Sequence, residues 1–566
     1  MPDAILIFTF SPVQSFIAEA RRAADLYVGS QILVQLARAA GKAIRVQGGD
    51  LIYPASEALE KPKSDVPNKL VARIPWETAG VIAEAAQRAL VREWEDIANS
   101  ARTALMCNWG LGADACWEAI WKRQTESLWE IYWAAAQISD GDYARAYRKA
   151  SAALDARKRS RVFAPANEEG MKDSLSGCRE ALHTQNVDAK AYWKSVKVGP
   201  PRLRPDGRER LDAIGAIKRG CRLAEHRSLS TSTVAAEDFL GQARPYLGDY
   251  HKTIADLLGS HAYTVRDDDP NWPYDGDLLF LETLTSDRLA DSYGLKQRDL
   301  QQLEVARAKL QKVYQQAQTR PRPYYAILVL DGDNMGKRID ACLEENDPEA
   351  AHRRLSEQLS QFAEYVGQEV KPGFLVYVGG DDVLALAPLS QALPLAQTLA
   401  ARFHAITGGT ASVGIAIAHH LYPLDATLEA ARAAEKQAKQ VPDKAAVCVR
   451  VLKRSGETVE VRSPWNAMGE TFGRLVTLFQ TEALSNKLAY AVAEAAYALP
   501  DPDAMFEAEL RRLLHRHRHR YPTKWSGCEA EWAATLRTWA AGLPGASTEL
   551  GHWLILARFI AQGGEE

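Results

Sequence analysis

Two short acidic stretches carry the residues whose types and spacing could do chemistry. Phe374-Leu-Val-Tyr-Val-Gly-Gly-Asp-Asp-Val-Leu-Ala-Leu386 sets two carboxylates, Asp381 and Asp382, between two apolar runs. This pattern predicts a β-hairpin whose turn is made of Gly379, Gly380 and the two aspartates. Glycine permits positive φ and lets a phosphate come close to the backbone. Adjacent carboxylates on a tight turn repel one another unless water or a cation screens them, and a hard divalent ion with oxygen ligands is the natural partner. Taken alone, the same stretch also describes a solvated acidic turn.

The second stretch shifts that balance. Tyr324-Tyr-Ala-Ile-Leu-Val-Leu330 reads as a strand and runs directly into Asp331-Gly332-Asp333-Asn334-Met335-Gly336-Lys337. Between the two lies Ala351–Val370, with Leu355, Leu359, Phe362 and Val366 at helical spacing. In an antiparallel sheet the first strand can lie beside the hairpin, which brings Asp331 close to Asp381 and Asp382. Three carboxylates at one sheet edge make a site for two magnesium ions and a nucleoside triphosphate.

The elements that must position these residues continue past the hairpin. A helix at Gln391–Ile406, a strand at Thr410–Ala418, a helix at Asp425–Gln440 and a strand at Ala446–Leu452 predict an α+β, ferredoxin-like sheet with helices on one face. Lys436 and Lys439 fall on one helix face. His419 and His420, adjacent on a strand, are expected to point to opposite faces and to be structural.

The start of the chain has a similar order. Ala4–Phe10 is a strand, Phe16 to Leu36 has helical spacing, and Gln47-Gly48-Gly49-Asp50-Leu51-Ile52-Tyr53 echoes Val378–Leu384. This predicts an internal duplication of one strand-and-helix unit, here called a palm, with a degenerate first copy. Thr9-Phe10-Ser11 stands where Asp331 would be, and only Asp50 survives at the turn. Such a copy braces the second palm or holds a substrate nucleotide.

The predicted division is therefore residues 1–160 as a first palm and 161–285 as a basic insertion with linker helices. Residues 286–455 form a second palm and 456–566 a helical C-terminal domain. Trp117, Trp121, Trp129, Ile131 and Trp133 predict one aromatic helix over Cys116–Gln137, used as core or subunit contact. Arg145–Arg161 carries seven Lys/Arg against one Asp, and Lys194–Arg222 nine against three acids, with Pro200, Pro201 and Pro205. Arg511–Arg520 holds five arginines and three histidines without an acid. The arginines would repel a metal at His515, His517 and His519, so the stretch reads as a surface for RNA phosphate or an acidic partner. Ser230-Thr-Ser-Thr233 suggests a helix start with Thr233 as the cap.

At 566 residues the chain needs several cores. Its formal charge of −3 excludes a global pull toward nucleic acid and leaves only local patches. Seven scattered cysteines argue against a disulfide framework, and no apolar run or leader pattern is present, so a cytoplasmic protein is expected.

Leu330-Asp-Gly-Asp-Asn-Met-Gly336, Val378-Gly-Gly-Asp-Asp382 and Ser412-Val-Gly-Ile-Ala-Ile-Ala-His-His420 resemble the large, Cmr-type subunit of type III CRISPR effector complexes, whose palm is related to GGDEF nucleotide cyclases. Ser11-Pro-Val-Gln-Ser-Phe-Ile17, Ser230–Thr233 and Trp272-Pro-Tyr-Asp-Gly-Asp277 are similar to that family too, in collinear order. The resemblance implies a nucleotidyltransferase of the type III-B Cmr complex in antiviral defence, joining ATP into a cyclic oligoadenylate. Asp331, Asp381 and Asp382 would hold Mg2+ or Mn2+, and the backbone of Gly332, Asp333, Asn334 and Gly336 and of Gly379-Gly380 would lie near phosphates. In related cyclases a lysine in the region of Lys436 and Lys439 meets the triphosphate; here two solvated lysines are the alternative. Implied partners are other effector subunits, guide RNA and target RNA, with no membrane. Alternatives are transfer of ATP to another acceptor such as S-adenosylmethionine, or a structural subunit with an inert palm.

Two parts of that family are expected to be missing. Its zinc module uses two Cys-x-x-Cys knuckles, but the corresponding Ser174–Cys178 and Leu211–Gly215 supply one cysteine. Cys178, Cys221 and His183 are too sparse for a four-ligand set, so the insertion is expected to fold without zinc. No His-Asp dipeptide occurs in the chain, and no HD nuclease activity is expected.

Overall fold

Apolar residues from Ala4 to Phe10 bury the whole middle of the first strand, β1 (Asp3–Ser11), because it is paired on both sides. The computed structural model describes residues 2–61, 64–160, 168–196, 203, 207–221, 230–262, 271–296, 300–518 and 528–564. Of the basic stretches, Arg161, Lys197, Arg202, Arg204, Arg222, His519 and Arg520 lie outside the described residues, as do Pro200, Pro201 and Pro205.

β1 pairs antiparallel with β3 (Lys69–Pro75) and β4 (Glu130–Gln137), and β2 (Asp50–Tyr53) lies outside β3, giving the order β2-β3-β1-β4. Helices Ala23–Val46 and Ala79–Cys107 make the crossovers, so the connectivity is the βαββαβ of a ferredoxin-like unit. A second unit repeats it. β5 (Tyr324–Gly332), β6 (Phe374–Val378), β7 (Asp382–Pro388) and β8 (Ala411–His419) take the order β6-β7-β5-β8. The helix Leu424–Ala438 then adds β9 (Ala446–Leu452) parallel to β8, and β10 (Thr458–Pro464) closes the sheet.

The two orders superpose strand for strand, β1 on β5 through β4 on β8. Each also breaks register at the same place, between Leu51 and Tyr53 in one and between Leu375 and Tyr377 in the other. The internal echo therefore pairs Leu51-Ile-Tyr53 with Leu375-Val-Tyr377, and the match between the two Gly-Gly-Asp stretches is a coincidence. Gly48 has φ +86 and, with Gly49, returns its N–H to Arg45 and Ile44 carbonyls, so the two glycines end a helix instead of turning a hairpin. Asp50 then pairs with Arg353 at 2.7 Å on the surface.

Other expectations are corrected by packing. The aromatic stretch is not one helix: Ala115–Glu126 is helical, and Trp129, Ile131 and Trp133 lie at or on β4, their period of two being that of a strand. The second sheet is covered on both faces, not one. Ala326, Leu328 and Leu330 of β5 pack with the helices Pro348–Glu369 and Ala392–Thr407 and the C-terminal helices. Tyr325 and Ile327 face the core shared with the first unit, the helix Thr231–Ala243 and Leu424. β10, which begins past residue 455, belongs to this sheet.

In the insertion, charged pairs hold Leu211–Gly215 and the residues around it. Asp212 caps the helix Ala213–Gly220 by accepting from Gly215 N–H at 2.7 Å, and it also meets Arg179, which bridges to Glu19. Arg219 is buried and donates twice to Asp25 at 3.0 Å, and Lys218 is buried against the Glu19 carbonyl at 2.7 Å. Cys178 is exposed and Cys221 buried, and neither gathers with His183. At the next helix Ser230, not Thr233, is the cap, accepting from the Thr233 N–H at 3.0 Å. Thr233 instead accepts from Gly276 N–H, docking the Trp272–Asp277 turn on that helix. No helix among the described residues is long and apolar enough to cross a membrane.

Candidate active site

Asp331 and Asp382 stand directly opposite one another. The β5–β7 register ends on this pair, and on the other side Asp331 faces Ser412 of β8. The turn is closed by Gly379 N–H donating to the Asp382 carbonyl at 2.8 Å, and it is tied to β5 by Gly332 N–H donating to the Asp381 carbonyl at 3.1 Å. Gly380 has φ +95, which a side chain would strain. A Cβ at Gly332 would come within 2.8 Å of the Phe403 ring and 3.0 Å of the Asp381 side chain, so glycine lets β5 end this close to the turn and to the helix Ala392–Thr407.

The electrostatics are those of crowded carboxylates. Desolvation, then the neighbouring Asp331, pushes the Asp381 carboxyl up to about 6. Asp382 is raised further by desolvation, Asp381 and its hydrogen bond with Asp331, although the residue is exposed. Lys439, at the end of the helix Leu424–Ala438, rests its ammonium on Asp331 Oδ2 and reaches Glu435 at 2.9 Å. A cation thus already sits on this set, and crowded carboxylates that offer only oxygen ligands fit Mg2+ or Mn2+. Asp331, Asp381 and Asp382 are the residues that could hold it. They do not close into one three-ligand cage: Asp331 and Asp382 oppose each other across the strands and Asp381 lies beside them.

The remaining expected residues divide. Asn334 has φ +55 and precedes the helix Met335–Leu343, with open space around Gly336 in its first turn. Asp333 is not available to a ligand. It is 2% exposed and accepts from Ser412 Oγ at 2.8 Å, Thr410 Oγ1 at 2.9 Å and Ala445 N–H at 3.0 Å. Its part is to clamp the loop Asp443-Lys444-Ala445, whose φ values of 62, 58 and 46 are all left-handed. Lys436 is exposed, so of the two lysines only Lys439 is in contact with the carboxylates.

Several residues at the site carry no signal in the local sequence. Lys444 donates to Asn334 Oδ1 at 2.8 Å. Lys69 of the first palm lowers the Asp381 carboxyl through its charge, in the opposite sense to Asp331. It stands opposite Thr9 at the end of the β1–β3 register, the place that Asp331 and Asp382 hold in the second palm. The first palm therefore has a hydroxyl and a cation where a metal would need two carboxylates. Tyr53 donates to the Gly379 carbonyl at 3.2 Å, and burial together with Asp381, Tyr377 and Asp382 keeps its hydroxyl protonated. A strained loop with positive φ is a signal that backbone geometry can provide but spacing cannot.

His419 and His420 do not point to opposite faces. β8 ends at His419, the chain turns, and the two rings stack with centroids 4.7 Å apart and converge on Glu282 at 3.2 and 3.1 Å. This is the one three-residue group among the described residues whose ligating atoms all lie within 4.8 Å. Leu421 N–H donates to His419 Nδ1 at 3.2 Å, which leaves the His419 proton on Nε2 facing Glu282. Ser232 meets His420 Nδ1 at 2.7 Å. The group is a satisfied hydrogen-bonded latch between the end of β8 and the segments that carry Ser232 and Glu282.

A family model described as Cas10/Cmr2, second palm domain, matches residues 324–448, and one described as CRISPR-associated protein Cmr2, N-terminal, matches 5–99. Two separate stretches of the chain thus match models of the Cmr2 family. The CRISPR system Cmr subunit Cmr2 of Pyrococcus furiosus is 31% identical over 264 residues, covering 41% of this chain and 29% of that one. The match thus spans under a third of the curated Cmr2. Two cryo-EM structures of type III-B Cmr-beta, one apo and one bound to cognate target RNA, share the fold with TM-scores of 0.66 at 12% identity. They cover 100% of this chain and 82% and 83% of theirs. The match over 324–448 contains Asp331, Asp381, Asp382 and Lys439, and the match over 5–99 contains Tyr53 and Lys69.

Proposed function

We propose that this chain is the large subunit of a type III-B CRISPR effector and that its second palm polymerises ATP into a cyclic oligoadenylate when target RNA binds. The observation that carries this reading is Asp331 opposite Asp382 beside a Gly-Gly turn, within a Cmr2-type palm. In the reaction a ribose hydroxyl oxygen bonds to the α-phosphorus of a second ATP, the bond to pyrophosphate breaks, and the hydroxyl proton leaves to solvent. Mg2+ held by Asp331, Asp381 and Asp382 would acidify that hydroxyl and neutralise charge on the phosphoryl oxygens. Lys439 moves from Asp331 to a phosphate oxygen. Gly379 and Gly380 allow the chain of phosphates to approach the backbone, and the N–H groups opening the helix Met335–Leu343 face it. Positioning and charge supply the catalysis, so no protein base is required.

Guide RNA, target RNA and further effector subunits are the proposed partners. Support comes from the fold shared with Cmr-beta and from the exposed arginines and lysines of the helix Tyr143–Arg159. The test is to incubate the assembled complex with labelled ATP, Mg2+ and target RNA and to identify the product by mass. A cyclic oligoadenylate formed by the wild type and abolished by Asp381→Ala with Asp382→Ala is the expected result. An adduct of AMP with S-adenosylmethionine would replace the acceptor, and no nucleotide product would leave an inert palm.

A further inference from the structure

β6 is the outer strand of the second sheet, hydrogen-bonded only to β7, and it leads straight into the Gly379–Asp382 turn. An edge strand presents a row of backbone groups pointing away from its partner. Here three side chains of the first palm occupy that row in succession. Ser30 Oγ donates to the Val376 carbonyl, Val378 N–H donates to Asp65 Oδ2 at 2.9 Å, and Tyr53 Oη donates to the Gly379 carbonyl at 3.2 Å.

The donors and acceptor are themselves held. Ser30 and Gln31 lie on the helix Ala23–Val46, and Gln31 donates to Asp65 Oδ1 at 3.3 Å. Arg38 of the same helix donates to the Lys61 carbonyl at 3.0 Å and to that of Ser64, fixing the loop that carries Asp65. Tyr53 is aimed by the register break at the end of β2. That loop joins β2 to β3, the place where the second palm has its short Gly-Gly-Asp-Asp turn.

We infer that Ser30, Asp65 and Tyr53 act as a surrogate strand through which the first palm sets the position of the carboxylate turn in the second. They are positioning residues: none touches the carboxylates, and each acts through the backbone of Val376, Val378 or Gly379. The inference rests on the nucleotidyl-transfer reading of that turn and gives the metal-less palm a definite task in it. Because reacting groups displaced by about 1 Å can lose on the order of a hundredfold in rate, bonds to the residues flanking Asp381 are well placed to matter.

The test uses the full chain in its complex and three variants, Asp65→Ala, Tyr53→Phe and Asp65→Asn. Asparagine can still accept from Val378 N–H, and Gln31 can turn its amide to accept from the new NH2. Asp65→Ala and Tyr53→Phe should each lower kcat roughly tenfold, leave KM for ATP within about twofold, and raise the Mg2+ concentration for half-maximal rate, while Asp65→Asn restores all three. Binding of Mn2+ followed by EPR reads the same turn without turnover and should weaken in the first two variants only. Wild-type kcat and wild-type Mn2+ binding in Asp65→Ala and Tyr53→Phe would overturn the inference. So would a loss of activity that merely tracks a fall in melting temperature and is not rescued by Asp65→Asn. A wild type that binds no Mn2+ and makes no product would instead overturn the metal-site reading, and the surrogate strand would fall with it.

Discussion

Lys439 places its ammonium on Asp331 across the gap between the last turn of one helix and the end of β5. The contact neutralises part of a carboxylate group that desolvation and mutual repulsion drive toward protonation. Of the cations on this helix it is the one that meets the carboxylates: Lys436 is exposed and Arg432 donates to the Gln14 carbonyl at 3.2 Å.

Replacing Lys439 with alanine is therefore expected to lower kcat/KM for ATP by roughly tenfold to a hundredfold, the scale of one charge-assisted contact to phosphate. Steady-state rates over a range of ATP concentrations check this. Unchanged rates would mean that Lys439 serves only Asp331 and Glu435.

Asp331 and Asp333 are two residues apart and should respond oppositely. Asp331→Ala removes a partly exposed carboxylate that repels Asp381 but pairs with Lys439, two effects that oppose, so unfolding free energy should change by less than about 1 kcal/mol while product formation is lost. Asp333→Ala leaves Ser412, Thr410 and the Ala445 N–H without their buried acceptor and should cost about 2–4 kcal/mol. Urea midpoints of the two variants decide it, and equal midpoints would refute the clamp.

A pH dependence follows from Asp277, which is buried, accepts from Tyr293 Oη at 2.6 Å, and is pushed up to about 7 by desolvation and by Asp275. In the unfolded chain the same carboxyl loses its proton near pH 4. Between those values the folded state holds a proton that the unfolded state has released, so stability falls as pH rises from about 4 to 7, by at most about 1.4 kcal/mol per unit. Asp277→Asn cannot titrate and still accepts from Tyr293, so its stability should decline less steeply over that window. Parallel urea denaturation of both proteins at pH 5 and pH 8 measures the difference, and identical slopes would place the proton elsewhere.

The insertion is proposed to owe its fold to ion pairs and to hold no zinc. Chelation with EDTA should leave the melting temperature unchanged, and elemental analysis should find no stoichiometric zinc. Arg219→Ala should lower stability by about 3–5 kcal/mol, because it strands Asp25 and Glu209 in the core. One zinc per chain would contradict this account.

The acidic turn and its neighbouring strand were legible because their signals are local: two glycines, two apolar runs and a strand ending in Asp331. Ser30, Tyr53 and Asp65 were not, since each meets the hairpin more than 300 residues away along the chain. Nothing in their own surroundings marks them. The duplication was legible in outline, yet Gly48-Gly49-Asp50 was a misleading anchor, because glycines that end a helix and glycines that turn a hairpin have the same letters. The shared register break at Tyr53 and Tyr377 is a property of backbone pairing, which no spacing of residue types expresses. Trp129 to Trp133 misled for a related reason: a short aromatic run fits either period until the helix before it is seen to stop at Glu126.

The covered edge of β6 has a consequence for dissection of the molecule. A second palm cut free of residues 1–160 would expose the Val376 carbonyl and the Val378 N–H on a strand whose Phe374, Val376 and Val378 are buried in the intact chain. Such an edge templates strand addition from a neighbouring copy. The excised palm should therefore self-associate edge to edge and distort its own turn, so the second palm is expected to be transplantable only together with the first.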